Sequence, residues 1–442
     1  MSDVPTTQEG GGRRRRVLFV AEAVTLAHVA RPVALARGLD PARFDAVLAV
    51  DPRDRALWKG LTIPSWPIRS IPSEQFREAL ARGRPPYDVE TLRAYVRDDL
   101  EVIEATAPDV VVGDFRLSLA ISTRVTNTPY LAITNAYWSP YGRQRFPMPE
   151  LHFARRLGIP IARRLFRVAR PFAFAYHTLP LNRVRREYGL PSLGFDLRRI
   201  YTEADHTLYA DVPEMVPTFG RPDNHHYLGP ILWSPAVELP PWWQDVPRDR
   251  PVVYVTLGSS GRSELLSSVL DALADLHVSV LAATLGRSHP HQVPGKVWVA
   301  DVLPGERAAA RASLVICNGG SPTTHQALAA STPVLGLAGN MDQHLNMEAV
   351  QRLGAGILLR SESANPGAIR AAVTQLLDNP AYSEAAFELA RIFSAYDAPR
   401  RFQAILSDVA YGYSGGHVAG GVLAGLNGRE TEPFLRRPDV IR

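Results

Sequence analysis

The stretch from Ile316 to Val350 reads ICNGGSPTTHQALAASTPVLGLAGNMDQHLNMEAV. A strand-like run from Ala312 to Cys317 breaks at Asn318-Gly319-Gly320, and a helix opens with Ser321, Pro322, Thr323 and Thr324. Proline suits a first helical turn, where its missing amide would be unpaired anyway. Two glycines let a ligand approach the backbone, and the helix start presents amides and partial positive charge. That combination is an anion seat, most often for phosphate. An ordinary strand-to-helix turn fits the same residues. The segment after it decides the emphasis: Pro333 starts another apolar run, and Asn340, Asp342, Gln343 and Asn346 cluster behind it.

Outward from this stretch, short apolar runs alternate with helical patterns. Val17 to Val20, Phe44 to Val50, Asp109 to Val112 and Tyr130 to Ile133 read as strands, and Val29 to Leu39 as a helix. A second series runs through Val252 to Leu257, Val278 to Ala282, Val297 to Val299, Leu314 to Cys317 and Val334 to Leu337. Such alternation predicts an α/β protein with parallel sheets covered on both faces. Between the series, Pro235, Pro240, Pro241 and Pro247 mark a linker. The predicted organisation is a disordered tail over 1–16, a Rossmann-like domain over 17–233, a linker over 234–250, a second Rossmann-like domain over 251–395, a helix over 396–410 and a loose tail over 411–442.

At 442 residues, two domains are the default. Hydrophobic residues at 46% and charged residues at 21% are ordinary for a globular enzyme. Much of the net charge of +5 sits in Arg13 to Arg16, so it does not argue for a nucleic-acid partner. One cysteine excludes an internal disulfide and suits a cytoplasmic location. Cys317 reads as a small buried hydrophobe. No apolar run is long enough to span a membrane, and the basic N-terminus precedes a strand rather than a signal-peptide core.

Two side chains in the first half suit proton transfer. His28 lies between the first strand and the first helix, at the carboxyl edge where ligands bind in such sheets. Asp114 ends a strand at the same edge and is the candidate to orient the imidazole. Glu22 is its rival, and an unremarkable helix-start histidine or capping aspartate fits each position too. Tyr137 and Trp138 fit either an acceptor pocket wall or core. His225-His226 and His289-Pro290-His291 show no metal-ligand spacing and read as solvated loops. The arginines at 155, 156, 163, 164, 167 and 170, interleaved with apolar residues, form a basic amphipathic helix broken near Pro160. It is either a solvated face or a membrane-surface contact.

With these residues in view, the chain resembles the nucleotide-sugar-dependent glycosyltransferases of the GT-B fold, family 1, which include macrolide, plant secondary-metabolite and glucuronosyl transferases. Their donor signature runs HGG-x-x-T-x-x-E-A-L, then G-x-P, then D-Q-x-x-N. Here it stands as Asn318-Gly319-Gly320, Thr323, Gln326-Ala327-Leu328, Thr332-Pro333, Asp342-Gln343 and Asn346. The likeness covers about residues 15–410. It implies two Rossmann-like domains facing a cleft, with the last helix crossing back to the first domain. The resemblance also implies that Gly319, Gly320 and Thr323 hold the donor diphosphate, helped by the Gly258-Ser259 turn. Asp342 and Gln343 would hold sugar hydroxyls, and Val302 would lie against the nucleobase. Ala27-His28 through Leu35-Ala36-Arg37 resembles the segment carrying the family's catalytic histidine, with Asp114 completing the dyad.

Two donor positions depart from the pattern: Asn318 replaces histidine, and Gln326 replaces the glutamate that grips the ribose. Asparagine donates a hydrogen bond without charge, and glutamine accepts through one oxygen only. The expected activity is inverting transfer from a UDP- or dTDP-sugar to a hydroxyl of an apolar small molecule, with no metal or other cofactor. Gln326 tilts the donor towards dTDP. A noncatalytic homologue, a related sugar epimerase and a lipid glycosyltransferase at the membrane surface are the alternatives.

Overall fold

A computed structural model describes residues 13–53, 55, 62–148, 150, 159–287 and 293–412, with only the backbone of 159–163. The first sheet contains β1 (Arg15–Ala21), β2 (Phe44–Val50), β3 (Ser65–Pro67), β4 (Val110–Asp114), β5 (Tyr130–Thr134), β6 (His206–Tyr209) and β7 (His225–Tyr227). Their order is β3-β2-β1-β4-β5-β6-β7, with every pairing parallel. The second sheet contains β8 (Val252–Thr256), β9 (Ser279–Ala283), β10 (Val297–Ala300), β11 (Leu314–Cys317), β12 (Val334–Ala338) and β13 (Gly356–Arg360). Its order is β10-β9-β8-β11-β12-β13, again parallel.

Helices cover both faces of each sheet, so the central strands lose their alternation and become continuous apolar runs. Val17 through Ala21 are all 0% exposed, as are Val110 through Val112 and Leu314 through Cys317. In each sheet the chain reverses its direction of spread between two neighbouring strands: β1 and β4 in the first, β8 and β11 in the second. Ligands bind at the carboxyl ends of strands at such reversals. His28 follows β1 and Asp114 ends β4, whose register pairs Ala21 with Asp114. Gly258 follows β8 and Asn318 follows β11, whose register pairs Thr256 with Cys317. The topology alone therefore places the two candidate half-sites.

The helix Ala398–Tyr411 returns to the first domain, as the resemblance implies. Ala398, Phe402, Ile405 and Leu406 pack into the cluster containing Val17, Phe19, Val33 and Leu35. The Phe19 and Phe402 rings lie 5.8 Å apart. Gly38 admits this helix: a Cβ there would lie 2.6 Å from the Pro399 Cβ. The linker is fastened to the second domain, because Arg311 donates to the carbonyls of Trp243 and Val246 at 2.8 and 2.7 Å.

Several expectations change. β1 begins at Arg15, and Arg13, Arg15 and the Arg16 amide all bind Asp109, so this basic run belongs to the sheet rather than to a tail. Residues 1–12 and 413–442 lie outside the described residues. The short strands β3, β6 and β7 carry too few apolar residues for the periodicity to reveal them, and β13, with Ile357, Leu358 and Leu359, is a further edge strand beyond those expected. His225-His226 sits on β7, not in a loop. His225 meets the Tyr209 hydroxyl at 2.6 Å and His226 meets His206 at 3.1 Å. His289 and His291, like Arg155 and Arg156, lie outside the described residues. The basic stretch is a helix, Ile159–Glu187, with Pro160 in its first turn and Pro171 and Pro180 inside.

Candidate functional site

The strand β4 ends at Asp114, and Phe115 then adopts a left-handed backbone with φ of 58°. That conformation is costly for a bulky residue and turns the chain abruptly. It sets the Phe115 ring flat on the His28 imidazole, centroids 4.7 Å apart and planes 9° from parallel. Asp114, fully buried, meets His28 Nδ1 at 2.8 Å through Oδ1. The structure thus brings the two expected residues together.

A third residue, unread from the sequence, completes the cluster. Arg31, one turn along the helix Leu26–Arg37, donates to Asp114 Oδ2 from Nε and to Oδ1 from a terminal nitrogen, both at 2.7 Å. Its other terminal nitrogen donates to Asn135 Oδ1 at 2.8 Å. Burial works against the Arg31 charge, and the facing Asp114 overrides it and raises the pKa. Arg31 cannot accept from His28, although the two come within 3.1 Å. A carboxylate accepts, so the shorter contact with Asp114 fits the tautomer with the proton on Nδ1, which leaves Nε2 as the basic nitrogen. The His28 side chain is 18% exposed against 0% for Asp114, so only the histidine end of the cluster opens to solvent.

Glu22 does not compete for His28. It is fully buried and accepts from the Tyr95 hydroxyl and from Arg116, each at 3.1 Å. Arg116 also binds Asp99 at 3.0 Å and lies over the Tyr95 ring at 3.6 Å.

Across the cleft, the donor motif is a neutral, tightly wired loop. Gly319 has φ of 79°, and a Cβ there would lie 2.6 Å from Met347 Cγ, so only glycine fits. Asn346 donates to the Gly319 carbonyl and to Thr324 Oγ1 at 2.8 and 2.9 Å. Asn318 accepts from the Gly320 amide at 3.1 Å through Oδ1 and donates to Ser260 Oγ at 3.1 Å. Gly320 caps the helix Ser321–Ala329 and has no side chain to bond its first-turn amides, and Pro322 follows in that turn. Thr323 is half-buried on its first turn, whereas Thr324 is fully buried.

Gly258, with φ of 62°, turns the chain after β8. Ser259 Oγ accepts from the Leu26 amide at 3.1 Å, across the domain boundary. Ser260, in the same turn, instead bonds Asn318 and Gln343. Arg287 donates to the carbonyls of Gly258, Ser259 and Gly261 at 3.1, 3.0 and 3.3 Å and braces this turn.

The remaining expected residues divide by burial. Asp342 accepts from Trp138 Nε1 at 2.8 Å, joining a candidate sugar-binding residue to a candidate acceptor-binding one. Tyr137 is 0% exposed and packs in the core, so it does not line an acceptor pocket. Trp138, its neighbour on the tight turn Ala136–Trp138, packs against the same cluster but stays half-buried. Gln343 is buried and braces the Gly339 amide at 2.8 Å. Gln326 donates to the carbonyl of Trp233 and packs against Gly305, so it anchors the end of the first domain. Val302 is half-buried on the loop before the helix Gly305–Arg311. Cys317 is wholly buried, and burial pushes its thiol up to about 12. Burial pushes His325 down to about 3, which suits the packing role its position suggests. His344, one residue after Gln343, is buried 3.7 Å from Glu150. Among the described residues, no group of three or more His, Cys, Asp or Glu could hold a metal ion.

Comparison with known proteins adds three findings. Residues 267–408 match the family described as erythromycin biosynthesis protein CIII-like, C-terminal domain. The chain is 55% identical over 381 residues to the PGL/p-HBAD biosynthesis glycosyltransferase of Mycobacterium tuberculosis, covering 86% of this chain and 89% of that one. It is 54% identical over 394 residues to the PGL/p-HBAD biosynthesis rhamnosyltransferase of Mycobacterium bovis, covering 89% and 88%. Among solved structures, the spinosyn rhamnosyltransferase SpnG complexed with thymidine diphosphate is similar with a TM-score of 0.64, covering 89% of this chain and 100% of that one. At 19% identity that likeness carries the fold alone.

Proposed function

This chain belongs to the GT-B glycosyltransferases of family 1, and from that premise we propose that it inverts the anomeric centre while moving a deoxyhexose from a dTDP-sugar to a hydroxyl of a phenolic-glycolipid type of acceptor. The observation that carries the mechanism is the 2.8 Å contact of His28 Nδ1 with a buried, doubly bonded Asp114. Asp114 holds the tautomer with Nε2 basic and stabilises the imidazolium once it forms. The acceptor hydroxyl gives its proton to His28 Nε2 as its oxygen bonds to the anomeric carbon. The bond from that carbon to the diphosphate breaks on the opposite face, and its electron pair leaves on the diphosphate oxygen.

The departing charge meets the uncapped start of the helix Ser321–Ala329, with Gly320 and Thr323 at its edge. No metal enters this scheme, so the rate is expected to be the same in EDTA as in magnesium. Asp342 presents one carboxylate oxygen to Trp138, and the other suits a sugar hydroxyl. Two points favour dTDP and rhamnose. The ribose position is taken by Gln326, whose amide is spent on Trp233, and the mycobacterial relative named above is a rhamnosyltransferase.

The test is a transfer assay with dTDP-rhamnose and a short phenolic acceptor, product configuration read by NMR, together with calorimetry of dTDP and UDP. Retained configuration ends the mechanism proposed here. UDP binding as tightly as dTDP ends the donor assignment, and loss of dTDP binding in Thr323→Ala supports the diphosphate seat.

A further inference from the structure

The helix Ile159–Glu187 carries an apolar stripe facing solvent. Leu165, Val168, Phe172, Tyr176 and Leu179 are 53%, 70%, 76%, 48% and 50% exposed. Their spacing of three, four, four and three residues puts all five on one narrow face, about 20 Å long at the helical rise. Phe174 and Leu181 lie on the opposite face and are buried. Scattered exposed hydrophobes are ordinary, but five in one helical register form a patch that needs a partner. Up to Arg186 the charges on this helix have one sign. Arg164 is exposed beside the stripe, Arg183 and Arg186 extend its line, Arg167 is exposed further round the helix, and no acidic residue occurs in this helix before Glu187.

The inner face of the same helix connects to the chemistry. From His28 a series of ring contacts runs through Phe115, Tyr201, Trp138 and Phe146 to Phe174, with centroid separations of 4.7, 5.4, 5.0, 5.8 and 5.1 Å. Four of these rings, those of Phe115, Tyr201, Trp138 and Phe146, are half-buried. An apolar, aromatic track therefore leads from the base to the helix that bears the exposed stripe.

We propose that the face Leu165–Leu179, flanked by arginines, docks on an anionic lipid surface and delivers a membrane-held acceptor along the aromatic track to His28. The lipid choice follows from charge. A helix with apolar residues on one side, Arg164 beside them, Arg183 and Arg186 in line with them and no acid before Glu187 suits an anionic bilayer interface rather than a protein of mixed charge. Among the described residues no helix is long and apolar enough to cross a membrane, so the stripe would lie in the interface plane. The use of this surface rests on the lipid-acceptor reading above, whereas the binding itself can be measured without it.

The experiment measures binding of the full chain to vesicles of phosphatidylglycerol with phosphatidylcholine, and to phosphatidylcholine alone. Transfer is assayed in parallel to a short soluble phenol and to a long-chain phenol embedded in the vesicles. Binding is expected on the anionic vesicles only and should weaken with salt. Phe172→Asp with Val168→Asp, and separately Arg164→Glu with Arg186→Glu, should each lower the vesicle-bound fraction about tenfold or more. Transfer to the soluble phenol should be unchanged, and transfer to the embedded one should fall with binding. Absence of wild-type binding, or binding indifferent to both double substitutions, overturns the proposal. So does self-association abolished by Phe172→Asp with no vesicle binding, which would show that a second copy covers this face. If the wild type binds vesicles but transfers to neither phenol, the docking stands and the acceptor reading falls.

Discussion

Two arginine–carboxylate clusters lie at the same sheet edge, and they differ in what they leave open. Around Arg116, Glu22 and Asp99 are both 0% exposed, and every charged group faces another inside the protein. Around Arg31, a single carboxylate, Asp114, is shared with His28, which reaches solvent. A sealed cluster of this kind is weak evidence of net stabilisation, because desolvation offsets the attraction. What it does is pin β1, the helix Val89–Thr106 and the turn after β4 in one arrangement. The open cluster uses the same chemistry to hold one imidazole in one tautomer. Burying all but one member separates a structural network from a reactive one.

The comparison breaks most severely at His28 and Asp114. His28→Ala should lower kcat by about a thousandfold while leaving the melting temperature within a few degrees, since it removes the base and leaves Arg31–Asp114 intact. Asp114→Asn should cost about as much in kcat by disturbing the tautomer, and it also removes the partner of buried Arg31. A His28→Ala enzyme with near-normal kcat would end the assignment. The converse experiment is Arg116→Met, which strands two buried carboxylates and should destabilise the fold by about 3–5 kcal/mol in urea denaturation. Turnover per folded molecule should be unchanged.

A pH titration sharpens the contrast further. Burial raises the Glu22 pKa above 4.5, against the opposing pull of Arg116. Between the unfolded and folded values the native state keeps a proton that the unfolded chain has lost. Stability should therefore fall as pH rises from about 4.5 through the folded value and then level off. Glu22→Gln should flatten that fall, and melting curves from pH 4 to 8 would show it. The smallest expected effect is across the cleft. Trp138→Phe removes the 2.8 Å bond to Asp342 and should raise the donor KM a few-fold, by roughly 1 kcal/mol, with little change in stability.

The sequence made much of this legible, for physical reasons that differ by region. Central strands such as β1, β4 and β11 are buried on both faces, so they stand out as unbroken apolar runs. The edge strand β7 and its neighbour β6 contain His225, His226 and His206 and have no such signature. The donor loop could be located because its demands are local: Gly319 needs its left-handed backbone and Pro322 its first-turn position. Tyr137 was ambiguous because a three-residue turn has no period from which to infer its inward face.

By itself, then, the sequence determined two α/β halves, a linker, a C-terminal helix and the positions of the two strand-end motifs. All follow from spacings of a few residues, which local sterics and hydrogen bonding enforce. Only the tertiary structure decided who meets whom. Asp114 pairs with His28 across 86 residues and with Arg31 across 83, while Glu22 is claimed by Arg116 across 94. Trp138 finds Asp342 across 204 residues, and Gln326 is drawn to Trp233 across 93. Several charged and polar partners were chemically acceptable for each of these groups. The choice among them was made by strand order and by the close packing of the sheet edges, which bring one partner into hydrogen-bond range and bury the others elsewhere.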